Sequence, residues 1–444
     1  MRSIDFTKKT TRPDDSLQSL IKMKNFLPYA INHIDLSKQE SLIPPATNNT
    51  GNYVVLWWNE VALGDFYIKP NEPFNEYEYR KRASSAILPV VQFYAGNSNF
   101  DFDWEHFFLT NAIKDWAVQM EPILPLEDVN EKPGSVPVSI IMCTRNRASF
   151  LHKCLNNLKE MTCLPQEIIV VDNAPSDNET KEIVKQFPEV TYVFEPRKGL
   201  DFARNAGLSK ANCPIVAFTD DDVLVHPSWI YRVWKTFQTG SVAAMTGLVI
   251  TLALDTEARL IFEKHWSFNM GYLNKTYDET YMHSSKAPEV WKIGAGANMA
   301  FRKSVFDEVG CFHELLGAGA AGCSDDSEMW FRILAKGKTI QYNPSAIVYH
   351  KHRKTIEQLN NQIFHYMRGF TAAALWQQRQ KPETWYKYLI FFYYPFYYTT
   401  LAIKGFPLYH DRYKTIWVEI KGMISGLKFF YKKENRSSFA VREK

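Results

Sequence analysis

Two hydrophobic patterns alternate between residues 138 and 219. Short runs rich in Ile and Val predict buried strands, and apolar residues spaced three and four apart predict amphipathic helices. The predicted strands span 138–144, 167–172, 190–195 and 215–219, and the predicted helices span 148–161, 179–187 and 202–210. Strands that alternate with single helices are typical of βαβ units. The pattern therefore predicts an α/β domain whose mostly parallel sheet has flanking helices.

The segments on either side of this domain have different patterns. Residues 52–69 predict two strands around a turn at Asn59 and Glu60, so we expect a small β-containing accessory module near the amino terminus. Residues 121–137 are rich in proline and acidic residues, which is typical of a linker. The predicted boundaries are 1–130 for the accessory module, 136–355 for the α/β domain and 356–444 for a helical, aromatic and basic tail.

Polar side chains follow three of the predicted strands at the points where the strands end. These clusters are Thr144, Arg145, Asn146 and Arg147, then Asp172 and Asn173, and finally Asp220, Asp221 and Asp222. In open α/β sheets, ligands bind beyond the carboxyl ends of the strands. The coincidence predicts a ligand site at this edge.

The acidic triplet 220–222 predicts a metal site. Three adjacent carboxylates repel one another unless a cation offsets their charge. A hard divalent ion such as Mg²⁺ or Mn²⁺ binds carboxylate oxygens together with substrate phosphates. The alternative is a solvated acidic turn, which is common in proteins. Asp172 has a similar pair of interpretations: it can accept hydrogen bonds from a base or ribose, or it can close an Asx-turn after its strand.

Residues 323–329 open an amphipathic helix and include the adjacent acids Asp325 and Asp326. One of these carboxylates could act as a general base that removes a proton from an acceptor hydroxyl. The alternative is helix capping, with Ser324 as the N-cap and the acids in the first helical turn. The glycine-rich stretch 317–322 just before this helix could be a mobile lid or an acceptor loop.

Two weaker signals lie in the second half of the α/β domain. The loop 294–299, which contains Asn298, has two spaced glycines that could let the backbone approach a sugar, or it could be a plain turn. His350 and His352 follow a predicted strand, where either ring could bind the metal or a phosphate; a surface histidine is the alternative.

Net charge and cysteine content indicate which partners and which cellular compartment to expect. The net charge of +4 gives little reason to expect nucleic-acid binding. None of the six cysteines forms a Cys-x-x-Cys pair, which suits a reducing compartment, and the polar first fourteen residues do not resemble a secretion signal. We therefore expect a cytoplasmic protein. Its oligomeric state is not determined by these features.

The carboxyl-terminal region combines aromatic and basic residues. Residues 388–403 are uncharged and contain Pro395, and residues 404–444 hold ten Lys or Arg against four Asp or Glu, a net charge of +6. The uncharged run is shorter than the roughly twenty residues of a spanning helix. These features predict peripheral binding to the inner face of a membrane. A packed helical cap or a subunit interface is the alternative.

Seven segments, taken in order, resemble the family 2 glycosyltransferases, which have the GT-A fold. They are VSIIMCTRNR, EIIVVDNAPSD, KGLDFARNAGL, IVAFTDDDVLVHPSWI, GAGANMAFRKSVFDEVGCF, SDDSEMWFRILAKG and AIVYHKH. The resemblance covers about residues 136–353, near half of the chain. It implies a GT-A-like nucleotide-binding sheet and transfer of a sugar from a nucleotide-sugar donor to a glycan or lipid-linked acceptor, by a metal-assisted single displacement with inversion.

The resemblance also implies roles for individual residues. Asp172 is expected to contact the nucleotide base, Arg204 to hold the donor and Asp326 to be the base, with Asp325 beside it. This chain departs from the family at Asp325, where glutamate is usual, and at Glu328, where aspartate is usual. The expected ligands of Mn²⁺ or Mg²⁺ are Asp220, Asp222 and His350. The expected donor contacts are Thr144, Arg145, Asn146, Asp172, Arg204, Asp220, Asp221 and Asn298.

Two other functions fit an acidic α/β site. A nucleotidyltransferase would also use acidic metal ligands, but it usually needs a basic glycine-rich loop for the triphosphate, which this sequence does not show. A catalytically inactive binding or scaffold protein is the third hypothesis, and the carboxylates present at each expected position argue against it.

Overall fold

The computed structural model describes residues 26–45, 49–73, 75–96, 104–124 and 132–432. Its strands form a three-stranded sheet and a nine-stranded central sheet. In chain order they are β1 (Tyr29–Asp35), β2 (Gly51–Trp58), β3 (Val61–Ile68), β4 (Ser135–Thr144), β5 (Leu164–Asn173), β6 (Val190–Glu195), β7 (Ile215–Asp220), β8 (Val223–Val225), β9 (Val242–Thr251), β10 (Lys275–Tyr277), β11 (Asn298–Arg302) and β12 (Thr339–His350).

Helices surround the central sheet and form the carboxyl-terminal region. In chain order they are α1 (Glu76–Ala95), α2 (Trp104–Leu109), α3 (Ile113–Met120), α4 (Ala148–Leu158), α5 (Glu179–Val184), α6 (Leu200–Lys210), α7 (Trp229–Thr236), α8 (Glu257–Trp266), α9 (Glu279–His283), α10 (Val305–Val309), α11 (Asp325–Ala335), α12 (Ile356–Gln380), α13 (Tyr386–Tyr388), α14 (Tyr394–Gly405) and α15 (Ile416–Tyr431). One π-helical turn, Leu389–Tyr393, joins α13 to α14.

The central sheet has a parallel half that the sequence predicts and a mixed half that it does not. Strands β6, β5, β4 and β7 pair in parallel in that order, as expected of βαβ units. Strand β11 runs antiparallel to both β7 and β9, and β12 pairs in parallel with β9. Strands β7, β9 and β12 therefore share one direction, and their carboxyl ends lie at the same edge. The predicted α/β fold with flanking helices is confirmed.

Both faces of the central sheet are covered by hydrophobic clusters. Successive side chains of a strand point to opposite faces. Ile141 and Val171 accordingly pack with α6, α8 and α11 on one face, whereas Ile140 and Val170 pack with α4 and α7 on the other. This double coverage explains why the strands read as continuous apolar runs rather than as alternating ones.

The amino-terminal module is a small sheet packed against the central one. Strands β2 and β3 form the predicted hairpin, whose turn residue Asn59 has a φ of 52°, and β1 adds in parallel to β2. Tyr53 and Trp57 of this sheet share a hydrophobic cluster with Leu248 and Ile347 of the central sheet. The described part of residues 1–130 thus shares a core with the α/β domain. Residues 1–25 and 125–131, which belong to the predicted module and linker, lie outside the described residues.

The carboxyl-terminal helices pack onto the α/β domain. A capping box between Thr355 and Gln358 begins α12, and α15 then crosses α12 closely at two glycines, Gly422 and Gly426. The helical character predicted for the tail is confirmed. Among the described residues no helix combines the length and the apolarity that crossing a membrane requires.

Candidate active site

The carboxyl edge of the central sheet opens into a cavity of 1640 Å³. Strand β8 pairs antiparallel with the end of β12, and this register sets Val223 opposite His350. Asp222 precedes Val223, so the pairing brings the acidic turn after β7 against a histidine that lies far away in the chain. Gly296, in the loop before β11, and Asp326, in the first turn of α11, also line the cavity.

Asp220, Asp222 and His350 form a group that could hold a metal ion. One ligand atom from each side chain lies within 4.8 Å of the others. His350 Nε2 lies 3.4 Å from Asp222 Oδ1. Two carboxylate oxygens and one imidazole nitrogen leave the remaining positions of a six-coordinate ion to phosphate and water. The residues present therefore fit a divalent cation.

Burial gives this acidic group its electrostatic character. Burial, and after it the charge of Asp222, raises the pKa of Asp220. Burial opposes ionisation of Asp222 as well, but its hydrogen bond with His350 and the nearby Arg147 hold the pKa of Asp222 below its ordinary value. Two carboxylates that share a buried site oppose each other's ionisation unless a cation joins them.

Glu263 and His352 fix the orientation of His350. His352 Nε2 lies 3.2 Å from Glu263 Oε2, and the Nδ1 atoms of His350 and His352 lie 3.1 Å apart. Burial lowers the pKa of His352, which favours its neutral form. Because a carboxylate only accepts, a neutral His352 donates from Nε2 to Glu263, and its Nδ1 can then accept from His350 Nδ1–H. A cation at His350 Nε2 would need this tautomer, in which Nε2 keeps its lone pair.

This network gives different surroundings to the two histidines, of which the resemblance implied His350 as the metal ligand. His350 joins the acidic group, and His352 supports it from behind. Sequence reasoning missed Glu263, because nothing in the pattern of α8 distinguishes it from other helical glutamates. Its burial and its partner are visible only in three dimensions.

The two acids that begin α11 have different surroundings. Asp325 is buried and forms an ion pair with Arg204. Asp326 is half-buried and lines the cavity, where its Oδ2 accepts a hydrogen bond of 2.9 Å from the backbone N–H of Gly296. The glycine is required there, because a Cβ at this position would lie 2.8 Å from Arg204 Nη2.

The capping interpretation of this segment is wrong for Ser324. Its backbone is left-handed, with a φ of 70°, and its side chain makes no capping hydrogen bond to the helix. Glu328, the other departure from the family pattern, is fully buried and paired with Arg332 at 2.7 Å. Glu328 thus stabilises helix packing, whereas Asp325 and Asp326 both border the cavity.

The cluster after β4 divides between structural and cavity-lining residues. Thr144 Oγ1 donates to Asp221 Oδ2 at 2.6 Å, and Arg147 Nη1 lies 2.6 Å from Asp221 Oδ1. Asp221 lines the cavity, but both of its carboxylate oxygens are engaged by neighbouring side chains, so the expected donor contact by Asp221 stays a prediction. Asp221 is well placed to orient Arg147, whose Nη2 also lies 2.7 Å from Asp222 Oδ2. Arg147 was not among the expected donor contacts.

The remaining residues of the first two clusters lie at the rim of the cavity or beneath it. Arg145 is exposed at the cavity, and its Nε donates to the carbonyl of Ala174 at 3.2 Å. Asn146 has a φ of 54°, and its side chain accepts from the Ser176 N–H, which makes it a turn residue outside the cavity lining. The predicted donor contact by Asn146 therefore has no support in this geometry.

Asp172 lies at the end of β5, behind its neighbour Asn173. The hydroxyl of Tyr192 donates to Asp172 Oδ2 at 2.9 Å, and burial raises the pKa of Asp172. Asn173 lines the cavity and accepts from the N–H of Gly199 at 3.0 Å. A base contact by Asp172 stays a prediction, and Asn173 is the member of the pair that borders the cavity.

Asn298 does not lie at the cavity, and its predicted donor contact is wrong. Its side chain accepts from the indole N–H of Trp229 at 2.9 Å and donates to the carbonyls of Leu248 and Ala346. These hydrogen bonds satisfy the buried side-chain amide of Asn298 and link β11 to the neighbouring elements. The neighbouring Gly294 is explained by packing, since a Cβ there would lie 1.8 Å from Thr246 Oγ1.

The glycine-rich loop before α11 is packed in this structure. Gly317, Gly319 and Gly322 all have positive φ, which only glycine adopts readily. The carbonyl of Ala318 accepts from the N–H of Leu200 at 2.9 Å. The loop borders the same cavity as Arg204, which is compatible with an acceptor loop. The predicted lid motion stays a prediction.

The fold and this site define an α/β domain with an acidic group at the carboxyl edge of its sheet that could hold a divalent cation. Residues 139–310 match the sequence profile of Glycosyl transferase family 2. The match supports the resemblance of this α/β domain to the family 2 glycosyltransferases. Asp326 and His350 lie beyond residue 310, so their roles rest on geometry.

Two proteins with similar sequences are described as glycosyltransferases. The chain is 25% identical over 223 residues to a pre-mycofactocin glycosyltransferase of Mycobacterium tuberculosis, covering 50% of this chain and 44% of that protein. It is 28% identical over 191 residues to the glycosyltransferase AglE of Haloferax volcanii, covering 41% and 58% respectively. The chain therefore spans about half the length of these relatives.

A solved structure gives a weaker similarity. The mannosyltransferase PcManGT from Pyrobaculum calidifontis, in complex with GDP-Man and Mn²⁺, aligns with a TM-score of 0.47 and 17% identity over 71% of this chain and 94% of that chain. Among the hypotheses considered, the sequence relatives favour a glycosyltransferase over a nucleotidyltransferase or an inactive scaffold.

Proposed function

We propose that this protein transfers a sugar from a nucleotide-sugar donor to an acceptor hydroxyl group, with inversion at the anomeric carbon. The observation that carries the proposal is that Asp326 and the Asp220–Asp222–His350 group border one cavity. In the proposed step, the acceptor oxygen bonds to the anomeric carbon as the bond from that carbon to the diphosphate oxygen breaks. The acceptor proton passes to Asp326, and the nucleoside diphosphate leaves.

Asp326 is the proposed general base because it lines the cavity, whereas the neighbouring Asp325 is buried and paired with Arg204. The hydrogen bond from Gly296 N–H orients Oδ2, and the N–H of Ser327 donates to Oδ1 at 2.6 Å. A positioned carboxylate of this kind can collect the acceptor proton. Asp325 is proposed to position Arg204, and Arg204 to face the donor.

The proposed cation site consists of Asp220, Asp222 and His350, and the proposed ion is Mn²⁺ or Mg²⁺. When bound, the ion supplies charge neutralisation for the departing diphosphate. Arg145 and Arg147, which both line the cavity, are proposed to add positive charge near the phosphates. Asp172, which lies behind Asn173 at the end of β5, is proposed to contact the nucleotide base of the donor.

We also propose that the protein acts at the cytoplasmic face of a membrane. The six cysteines are free thiols, which suits a reducing compartment. The carboxyl-terminal helices expose large apolar side chains, among them Phe392 and Phe396, which are 66% and 75% exposed. Contiguous apolar patches of this kind typically mark interaction surfaces. Exposed lysines on the same helices favour an anionic leaflet.

The test combines a thermal-shift panel of nucleotide sugars with an assay for release of nucleoside diphosphate. A true donor should raise the melting temperature in the presence of Mn²⁺, because binding stabilises the native state. Asp222→Asn should abolish the Mn²⁺-dependent part of both signals, and Asp220→Asn should weaken it. Asp115→Asn, an exposed acid on α3, is the control that should change neither. Full release by Asp222→Asn without Mn²⁺ would rule out the metal assignment.

A further inference from the structure

A second cavity lies between the carboxyl-terminal helices. It has a volume of 740 Å³ and runs between α14 and α15. Its walls are apolar on both sides, with Ala402 and Ile403 on α14 facing Trp417 and Ile424 on α15. We call this cavity the tail groove. Its volume lies within the range of about 300–1,000 Å³ that is common for ligand sites.

The rim of the tail groove is unusually apolar for a surface in contact with water. Ile403, Phe406 and Trp417 are 72%, 74% and 53% exposed. Burying apolar surface stabilises by roughly 25 cal/mol per Å², so leaving such side chains in water forgoes that free energy. A polar glycan would gain nothing from these walls, because its hydroxyl groups would lose their hydrogen bonds to water. The walls therefore favour a hydrocarbon occupant.

The tail groove adjoins the catalytic cavity. Tyr398 lines both cavities, and Tyr394 and Tyr397 line the catalytic cavity on the near side of it. The hydroxyl of Tyr398 donates to Glu419 Oε2 at 2.9 Å, and Arg412 pairs with the same carboxylate. A ligand that passes this point leaves apolar walls and meets polar groups within the cavity that contains Asp326.

The charges around the tail groove favour an anionic headgroup. Lys404, Lys421 and Lys428 are exposed on α14 and α15. Between residues 386 and 432 the acidic residues are Asp411 and Glu419, and Glu419 is buried against Arg412. The exposed surface beside the groove thus carries mostly positive charge, which attracts lipid phosphates.

We propose that the tail groove holds the hydrocarbon chain of a lipid-linked acceptor whose headgroup extends past Tyr398 towards Asp326. The acceptor role rests on the proposed glycosyl transfer, whereas binding of the chain does not. A second copy of this protein could also cover an apolar groove, but such a contact would not account for a groove that shares a wall with the catalytic cavity. The neighbouring catalytic cavity and the exposed lysines beside the groove are what favour the lipid.

The experiment uses the full-length protein and a photoreactive probe, hexadecyl phosphate with a diazirine at the end of its chain. After irradiation, peptide mapping should place the label on α14 and α15. Butyl phosphate, which has the same headgroup and a short chain, should not compete at equal concentration. Label spread over unrelated surface peptides, or equal competition by butyl phosphate, would overturn the proposal.

Two neighbouring threonines of α14 supply a matched pair of variants. Thr399 lines the tail groove and Thr400 does not, although each donates to the carbonyl four residues earlier. Thr399→Trp should reduce labelling at least tenfold, and Thr400→Trp should stay within twofold of the unaltered protein. Equal labelling of both variants contradicts the proposal. If a variant fails to fold, the map of the unaltered protein decides alone.

Two further readouts separate the competing explanations. Light scattering that shows a dimer which Thr399→Trp dissociates would identify a second copy as the occupant and overturn the proposal. Mn²⁺-dependent release of nucleoside diphosphate to water tests the donor site without any acceptor, and both threonine variants should retain it. Groove labelling without such release in the unaltered protein would leave a lipid site and overturn its acceptor role.

Discussion

Asp325 and Asp326 are adjacent in the sequence, yet their surroundings assign them different tasks. Arg204 stabilises the charged form of Asp325, and a buried, paired carboxylate is a poor acceptor for a substrate proton. Asp326 faces the cavity and is held by the N–H groups of Gly296 and Ser327. The geometry therefore favours Asp326 as base and Asp325 as a positioning residue.

Replacing Asp326 by asparagine should leave donor affinity unchanged and reduce transfer by a factor of roughly 10²–10⁴, the scale of general-base catalysis. The amide keeps the shape of the side chain but cannot take up the proton. Donor affinity and single-turnover rates measure the two effects separately. Asp325→Asn is the comparison, and it should weaken donor binding through Arg204. The assignment is reversed if Asp325→Asn loses only the rate and Asp326→Asn is near normal.

Glu263 acts at a distance from the proposed metal site, through His352 and His350. Glu263→Gln should lower the affinity for Mn²⁺ by about 10–100-fold, because the tautomer of His350 is no longer fixed. Calorimetric titration of Mn²⁺ into the protein measures this without any turnover. Glu257→Gln is the control on the same helix, since Glu257 pairs with Lys414 instead. Equal affinities in the two variants would exclude the proposed network.

At the scale of elements, the close crossing of α12 and α15 fixes the carboxyl-terminal helices on the domain. A Cβ at Gly426 would lie 2.5 Å from the carbonyl oxygen of Arg368 and 2.7 Å from Thr371 Cβ. A Cβ at Gly422 would lie 2.6 Å from the carbonyl oxygen of Phe364. Glycine is therefore required by packing, although it disfavours helix formation. The tail is a packed cap on one side and an exposed apolar surface on the other.

Gly426→Ala should lower the free energy of unfolding by roughly 1–3 kcal/mol, because α15 must move away from α12 to accommodate the methyl group. Urea denaturation measures the change. Gly240→Ala provides the comparison, since a Cβ there would meet nothing within 4 Å. An increase in stability at Gly426, as helix propensity alone would give, contradicts the close crossing.

At the scale of the whole molecule, the exposed apolar side chains of the tail lie on the same region as its lysines. Deleting this region would also remove buried residues such as Tyr386, Ile416 and Phe430, which belong to the main hydrophobic cluster. Truncation would therefore confound loss of membrane binding with loss of stability. Substitutions on the exposed surface avoid this problem.

The double variant Phe392→Ser and Phe396→Ser should strongly reduce flotation with anionic vesicles. Each exposed lysine near such a surface contributes on the order of 1 kcal/mol, and salt weakens this contribution. High salt should therefore loosen binding of the unaltered protein without abolishing it. Phe93 is a half-exposed side chain on α1 of the amino-terminal module, and Phe93→Ser should not change flotation. An unaltered protein that does not float at low salt would refute membrane association.

The sequence by itself determined the elements in the parallel half of the α/β domain and three of the clusters around its site. Its strands are apolar runs between amphipathic helices, and such patterns depend on neighbours only a few residues apart. The carboxyl ends of parallel strands share an edge, so the order of strands and helices along the chain is enough to place Thr144, Asp172 and Asp220 together. The hairpin around Asn59 was equally local.

Only the tertiary structure decided which side chains face the ligand. The pairing of β8 with β12 brings Asp222 against His350, and no local pattern encodes contacts between distant segments. Asn298 looked like a loop residue but is held in the sheet by Trp229, and Glu263 looked ordinary but supports His350. Burial and hydrogen-bond partners are properties of the assembled chain, because they depend on which elements pack together.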